Sequence, residues 1–445
     1  MSSLLIKNGT IITLGENNRM IEDGAIYIED GIIKEIGSSK ELKKKYKDVD
    51  EKIDGENKVI MPGYINAHHH LYSTFARGMS LKDEAPVNFV QILERLWWRL
   101  DKALKEEDIY YSAMIPLIDC IKKGATTIID HHASPYNITG SLNKIKEAVK
   151  LAGIRACLCY EVSDRDGAER AEEGLRENYN FIKQCQREND PFISALFGLH
   201  ASFTVSDETM NKAVAMAKEL NVGFHIHTAE DKADVEECLK KHNMRVVERF
   251  QKLNILGAKT ITAHCIHINE GEMDLLKESG TNVVHNPQSN MNNAVGTADV
   301  LKMLSKGIPV GLGSDGMTSD MCKEMNAACL IHKITKQDPR VAFVEPPTML
   351  LFNNAKIANK FFPVKLGEIS VGAAADIILI DYIPPTPMTI NNFFGHFIFG
   401  IASSPVDTTI VGGNILMKKK KLTIIDEEEI CARSRELAAR LWERF

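Results

Sequence analysis

From residue 59 onward the chain repeats one rhythm, an apolar β-rich run followed by a stretch of helical periodicity. The runs read VIMPGYINAHHH, ATTIIDHHASP, RACLCYEV, ISALFGLHASF, VGFHIHTAED, TITAHCIHI, TNVVHNPQSN and IPVGLGSDG. Segments such as SDETMNKAVAMAKEL and DKADVEECLKKHNMRVVERF lie between them, with apolar residues at helical spacing. Strands that alternate with helices pair in parallel. Eight such units over about 270 residues predict a closed (β/α)8 barrel of the TIM type, an α/β fold.

Both ends of the chain break the rhythm. The first 55 residues alternate short β-like runs with Gly and Asn turns, as in LLIKNGTIITLG and GAIYIEDGIIKEIG. AADIILIDY and TTIVGGNILM return to short strands near the other end, and EEEICARSRELAARLWERF reads as an amphipathic helix. The expected organisation is therefore residues 1–58 as one half of a small β-sandwich, 59–365 as the barrel, and 366–445 as the other half with a terminal helix.

Composition excludes several classes. The formal net charge is -6, so nothing supplies the global positive field that nucleic-acid binding needs. The basic runs KELKKKYKD and MKKKKL are short enough to be solvated turns. No apolar run reaches the length of a membrane span, and the N-terminus lacks a basic segment followed by an apolar one. Nine cysteines, none in a CxxC pair, point to reduced thiols and a cytoplasmic setting. The missing cysteine pair also rules out the HxE…PCxxC zinc site of nucleic-acid base deaminases.

A barrel enzyme gathers its chemistry at the C-terminal ends of its strands. The last polar residues of the eight runs are His68 and His70, His131 and His132, Glu161, His200, His227 with Glu230 just beyond, His264, Asn286, and Asp315. Most of the 14 histidines sit at these ends rather than on the helices. His68 and His70 are two apart on a strand and share a face, so both can grip one ion while His69 turns away. An isolated HxH pair is as often packed as ligating, but here another imidazole and a carboxylate fall at equivalent levels. In FHIHTAED, His227 is nearer the strand end and His225 one layer down, filling the core. Glu230 is placed to shuttle protons beside the ligands. Asp315 could bind a metal through one oxygen and accept a proton with the other.

Nitrogen and oxygen ligands in this number suit one divalent ion, zinc first and iron(II) as its rival. Two-metal barrel hydrolases need a bridging ligand, often a modified lysine ending the fourth strand; that run ends in His200, so a single ion is expected. GLGSDG matches a dinucleotide fingerprint only formally, since it follows seven β/α units instead of opening the fold.

PGYINAHHH, HTAE, TAHC, HNPQSN and GLGSDG, in this order and spacing, resemble the amidohydrolase superfamily. The branch is that of mononuclear aminohydrolases: the methylthioadenosine/adenosylhomocysteine, guanine, 8-oxoguanine and cytosine deaminases and the triazine hydrolases. LWWRLDKAL, IDHHASP and SNMNNAVG look closer still to the aminohydrolases called SsnA. The resemblance implies His68, His70, His227 and Asp315 as metal ligands and Glu230 as the acid/base. It implies His264 as the ring that hydrogen-bonds the hydrolytic water, and His200 as a substrate contact. The paired histidines of DHHASP depart from the commoner deaminase pattern and fit the SsnA and 8-oxoguanine-type members better than a nucleoside-type pocket; His132 is a second candidate substrate contact.

The expected activity is hydrolysis of a non-peptide C–N bond: deamination of an amino-substituted purine, imidazole or pyrimidine by a metal-bound hydroxide. The resemblance to 8-oxoguanine-type members puts an oxidised purine or one of its breakdown products first. The rivals are hydrolysis of a cyclic amide or ureido bond, a triazine hydrolase, and, from another class, a metal-binding protein without catalysis. The only partner implied is a small heterocycle, with no nucleic acid and no membrane; a homo-oligomer stays open. Trp98, Arg77, Asp101 and Glu161 are further pocket candidates, while helix packing is the preferred reading of Trp97 and Trp98.

Overall fold

The computed structural model describes residues 3–445; residues 1–2, at the head of the first terminal segment, lie outside it. Each of the eight runs forms a barrel strand. In order they are Tyr64–His69, Ala125–Asp130, Arg155–Leu158, Ile193–Ala195 continuing as Phe197–Ala201, Phe224–Thr228, Ile261–His264, Asn282–His285 and Val310–Leu312. The break at Leu196 in the fourth strand divides the ladder into two parallel arcs. Main-chain bonds carry the chain across both seams. Leu196 N–H reaches Leu158 O at 3.2 Å, and Ser314 N–H reaches His68 O at 2.9 Å. The second seam depends on Gly313, where a Cβ would stand 2.7 Å from the His68 Cβ. Only a glycine lets the eighth strand lie this close to the first.

The intervening segments are helices whose ends the sequence marks. Ser206 caps Asp207–Leu220 by accepting from Thr209 N–H, and Asn221 ends it in the left-handed region. DKADVEECLKKHNMRVVERF forms two helices, Lys232–His242 and Val246–Lys252, because Asn243 turns left-handed at φ 53° between them. Among the described residues no helix is long and apolar enough to cross a membrane.

The terminal segments meet in one nine-stranded mixed sheet. Lys58–Pro62 runs parallel to Ser3–Ile12 and antiparallel to Ile377–Asp381, stitching the two ends of the chain together. After Gly63 the chain enters the first barrel strand. The two-layer packing expected of these strands is made by this single sheet curling on itself. Ile6, Ile26 and Ile28 from one end share a core with Ile377, Leu379 and Ile410 from the other. The final helix, Glu427–Arg444, leaves the sheet and packs on the barrel helix Glu106–Lys123. Arg433 and Arg444 pair there with Glu107 and Asp108, and Trp442 Nε1–H donates to Phe75 O at 2.7 Å.

Barrel and sheet are locked by one buried ion pair. Arg155, opening the third strand, donates through Nε to Asp376 Oδ2 at 2.7 Å and through Nη2 to Oδ1 at 3.0 Å. Its Nη1 reaches Pro191 O at 2.7 Å, and the guanidinium lies over the Phe192 ring. Removing one partner strands the other charge in a dry interior, a loss of about 3–5 kcal/mol. Asp376→Ala should therefore lower the urea unfolding midpoint strongly, while Arg155→Met combined with Asp376→Leu recovers most of it. Equal losses in the single and double variants would show that the pair is not what joins the two parts.

Candidate metal centre and active site

The strand ends bring His68, His70, His227, Glu230, His264 and Asp315 together at the barrel mouth in overlapping groups, all of them buried except Asp315, which is partly exposed. The hydrogen bonds behind the rings decide which nitrogens face it. His70 Nδ1–H donates to His131 O at 2.6 Å and His227 Nδ1–H to His200 O at 3.0 Å. Each ring therefore keeps a bare lone pair on Nε2, and these two Nε2 atoms stand 3.1 Å apart. His68 Nδ1 lies 2.8 Å from His225 Nε2, and His225 Nδ1 lies 3.8 Å from Cys159 Sγ. A donor chain His68 to His225 to Cys159 leaves His68 Nε2 bare as well, and that atom is buried with no partner. Asp315 Oδ1 faces the same point, 3.2 Å from His70 Nε2 and 3.9 Å from His68 Nε2.

Three imidazole lone pairs and a carboxylate oxygen converging without a proton between them repel one another unless a cation sits among them. This donor set fits a divalent ion. Each Nδ1–H–acceptor contact behind a ring is the kind of outer support that fixes a ligating histidine's tautomer. Burial, and then the crowding of neighbouring rings, pushes His68 and His227 far below the ordinary imidazole value, so both are neutral, the form that ligates. The Asp315 carboxyl lies below its usual range: burial would raise it, but the Ser289 hydroxyl and the Gly316 N–H that donate to it are among the contacts that hold it low.

Next to these four lies a second group. His264 Nδ1–H donates to Asn290 Oδ1 at 2.8 Å, and its buried Nε2 has no hydrogen-bond partner. That nitrogen is 3.5 Å from Glu230 Oε2 and 3.8 Å from Asp315 Oδ2. Burial and the Asp315 carboxylate lift the Glu230 carboxyl well above the usual range. Asn293 Nδ2–H approaches its Oε1 at 3.5 Å, and Ser289 Oγ–H donates to Asp315 Oδ2 at 2.5 Å. The backbone here is strained. His264 and Asp315 are left-handed at φ 72° and 54°, and so is Ala229 at 46°. Cross-links hold these kinks: Cys265 N–H to Thr228 O, His267 N–H to Ala229 O, and Ala229 N–H to Asp234 Oδ2.

The cavity above the cluster is lined by His70, His227, Glu230 and Asp315 below, by Glu161 and His200 on one wall, and by Tyr72, Phe89, Leu93, Trp97 and Trp98. Trp97 and Trp98 thus form the cavity wall besides packing against Phe89 and Leu93. Burial pushes the His200 ring down to about 4. His132 sits elsewhere. Its Nε2 is 2.9 Å from Ser134 Oγ, its ring lies edge-on behind Tyr72, and it is absent from the cavity wall, so the geometry does not carry it as a substrate contact. Arg77 is exposed and faces Asp119, and Asp101 is buried against Arg165. His69 turns away from the cluster toward Ser319, and His225 lies one layer down behind His68.

Sequence reasoning passed over Asn290, Ser289 and Asn293. All three lie in the polar stretch after the seventh strand, where only Asn286 was read out as a strand-end residue. Phe89 and Leu93 carried no signal beyond ordinary helical spacing.

The model of the Amidohydrolase family matches residues 59–416. A 5-methylthioadenosine/S-adenosylhomocysteine deaminase of Syntrophomonas wolfei is 32% identical over 98% of this chain and 99% of its own. A 5'-deoxyadenosine deaminase of Methanosarcina mazei is 30% identical over 99% of both. Among solved structures, an adenosine deaminase from Xanthomonas campestris with bound zinc superposes with a TM-score of 0.87. It is 21% identical and matched over 99% of this chain and 98% of that one. With a buried cluster suited to a divalent ion and this match over nearly its whole length, the chain belongs to the amidohydrolase family, as a metal-dependent hydrolase of non-peptide C–N bonds.

Proposed function

We propose that this enzyme uses one zinc ion, held by His68, His70, His227 and Asp315, to replace the exocyclic amino group of a purine-type heterocycle with oxygen. The observation that carries the reading is the triangle of His264 Nε2, Glu230 Oε2 and Asp315 Oδ2 beside the ligands. A protein that only stored metal would have no use for a protonated carboxyl, a carboxylate and a bare imidazole nitrogen around one atom-sized space. The relatives named as deaminases of adenine nucleosides, and the zinc in the Xanthomonas fold neighbour, support the reaction class and the metal. The likeness to the SsnA aminohydrolases belongs to the same reading. Its three stretches supply Trp97, Trp98, His131, Ser289, Asn290 and Asn293, which border the site.

When bound, the ion supplies Lewis acidity that makes a water acidic enough to attack near neutral pH. Asp315 takes that water's proton at Oδ2, and His264 Nε2 accepts the hydrogen bond that orients the attacking oxygen. Glu230 Oε2 gives its proton to the ring nitrogen beside the amino-bearing carbon, which makes that carbon electrophilic. The C–O bond forms and the carbon becomes tetrahedral. The amine leaves as ammonia with the proton held at Asp315, while the new hydroxyl returns its proton to Glu230. The product is a lactam, and both carboxyls are back in their starting states. The aromatic wall from Tyr72 to Trp98 holds a flat ring and excludes bulk water.

Glu230→Gln should bind the metal as the wild type does and lose about 10²–10⁴ in kcat, since the amide has no proton to give. Ammonia release and metal content, measured on the same sample, check both halves; near-normal turnover would remove Glu230 from this role. His70→Ala should lose metal and activity together. Treating the wild-type enzyme with a chelator should abolish ammonia release, and added zinc should restore it. A fully active, metal-free preparation would end the proposal.

A further inference from the structure

Among the described residues, six of the fourteen exposed large apolar side chains lie on adjoining elements: Met291, Leu330, Ile334, Phe343, Val344 and Phe399. The helix Met321–Lys336 supplies Leu330 and Ile334, one turn apart and 69% and 73% exposed. Met291 of the helix Pro287–Asn292 stands beside them, and Pro339, just past the helix end, closes a cleft of about 580 Å³ whose surface is mainly apolar. Four residues beyond Pro339, Phe343 meets Phe399, the last residue of the helix Phe393–Phe399, with ring centroids 6.4 Å apart and Phe399 79% exposed. Four residues of chain reach at most about 14 Å, so the aromatic pair projects next to the cleft.

The charged groups around this face are already paired within the chain. Lys333 Nζ–H donates to Pro339 O at 3.1 Å and to Val341 O. Lys336 Nζ pairs with Asp299 Oδ2 at 2.9 Å, and Arg340 Nη2 with Asp338 Oδ2 at 2.8 Å. The face thus presents no field of one sign to a nucleic acid, an anionic membrane or a charged peptide. From their fractional exposures the six side chains offer roughly 600 Å² of apolar surface, the upper end of what a monomer leaves bare. A standard interface takes about 800 Å² from each partner, a little over half of it apolar, so these six side chains cover the apolar share of a stable dimer.

We infer that a second copy of this chain covers the face, in a two-fold dimer where the Phe343–Phe399 pair of each copy enters the Met291–Leu330–Ile334 cleft of the other. A two-fold interface has to be complementary to itself. Projection and cleft lie side by side here, so half a revolution about an axis between them sets each projection against the other copy's cleft. The same two features on opposite sides of the molecule would build an open chain of copies instead. None of the six residues lines the active-site cavity, but Met291 shares its helix with Ser289 and Asn290, so the interface backs onto the segment that supports Asp315 and His264.

Sedimentation velocity of the full-length, zinc-loaded chain at on the order of 10 µM should show twice the mass of one chain. Leu330→Glu combined with Ile334→Glu, and separately Phe399→Glu, should each weaken the dimer on the order of a hundredfold or more, because the symmetry buries every introduced charge twice. Circular dichroism and zinc content should match the wild type in both. Val371→Glu, at an exposed apolar position beside the terminal sheet, should leave the dimer intact. Should a glutamate variant fail to fold, Phe399→Ala decides in its place by a weakened dimer. A wild-type monomer at that concentration would overturn the inference, and so would a dimer that survives both sets of substitutions. Assembly that keeps growing with concentration would overturn it by showing head-to-tail docking. A wild-type monomer that floats with phosphatidylcholine vesicles would overturn it by giving the face to a lipid surface.

Discussion

Two bare imidazole nitrogens 3.1 Å apart, with a third and a carboxylate oxygen beside them, are the constraint around which this molecule is arranged. Such a cluster is unfavourable as it stands and becomes favourable only around a cation. Its geometry therefore has to be imposed from outside. The barrel does this by placing these groups at the ends of three strands, the first, fifth and eighth, whose positions are fixed by main-chain ladders. Backbone carbonyls of His131 and His200, themselves strand-end residues, then hold the rings that belong to neighbouring strands. The residues that line the mouth thus serve twice, by side chain and by main chain.

The same logic explains where the fold tolerates strain. His264, Asp315 and Ala229 are non-glycine residues in the left-handed region, each at an unfavourable φ. Each carries or adjoins a group in the triangle that moves protons. A relaxed strand end would send these side chains along the barrel axis rather than across the mouth. Cross-strand hydrogen bonds and the buried Asp234 carboxylate keep the kinks in place. The rest of the chain, including the Arg155–Asp376 lock at the far side of the barrel, makes the cylinder stiff enough to hold them.

The barrel was legible because its signal is repeated: eight apolar runs, each ending in a polar residue that no buried strand would carry without a reason. The coming together of His68, His70, His227 and Asp315 follows from that regularity, since strand ends at one level of a closed cylinder face one another across its mouth. The pocket wall was less legible. Trp97 and Trp98 sit at ordinary helical spacing, and no periodicity separates an aromatic that packs against its own helix from one that also roofs a cavity. His132 looked equivalent to His131 because both follow the second strand, but alternation turns one ring inward to Glu161 and the other outward to Ser134. Asn290, which fixes the His264 tautomer, lies on the helix Pro287–Asn292 beyond the strand end, and only the turn between them brings it back.

The division of labour between the two glutamates on the cavity wall is a matter of neighbours rather than of residue type. Glu230 faces a carboxylate in a dry site and is driven to keep its proton. For Glu161, burial acts in the same direction, but the His200 and His131 rings beside it more than offset that and hold it ionised. One cavity wall thereby carries two carboxyls of opposite tendency. Glu230, beside His264 and Asp315, is pushed toward its acid, and Glu161, beside His70, His131 and His227, toward its anion. A change to either glutamate's neighbours would move that balance.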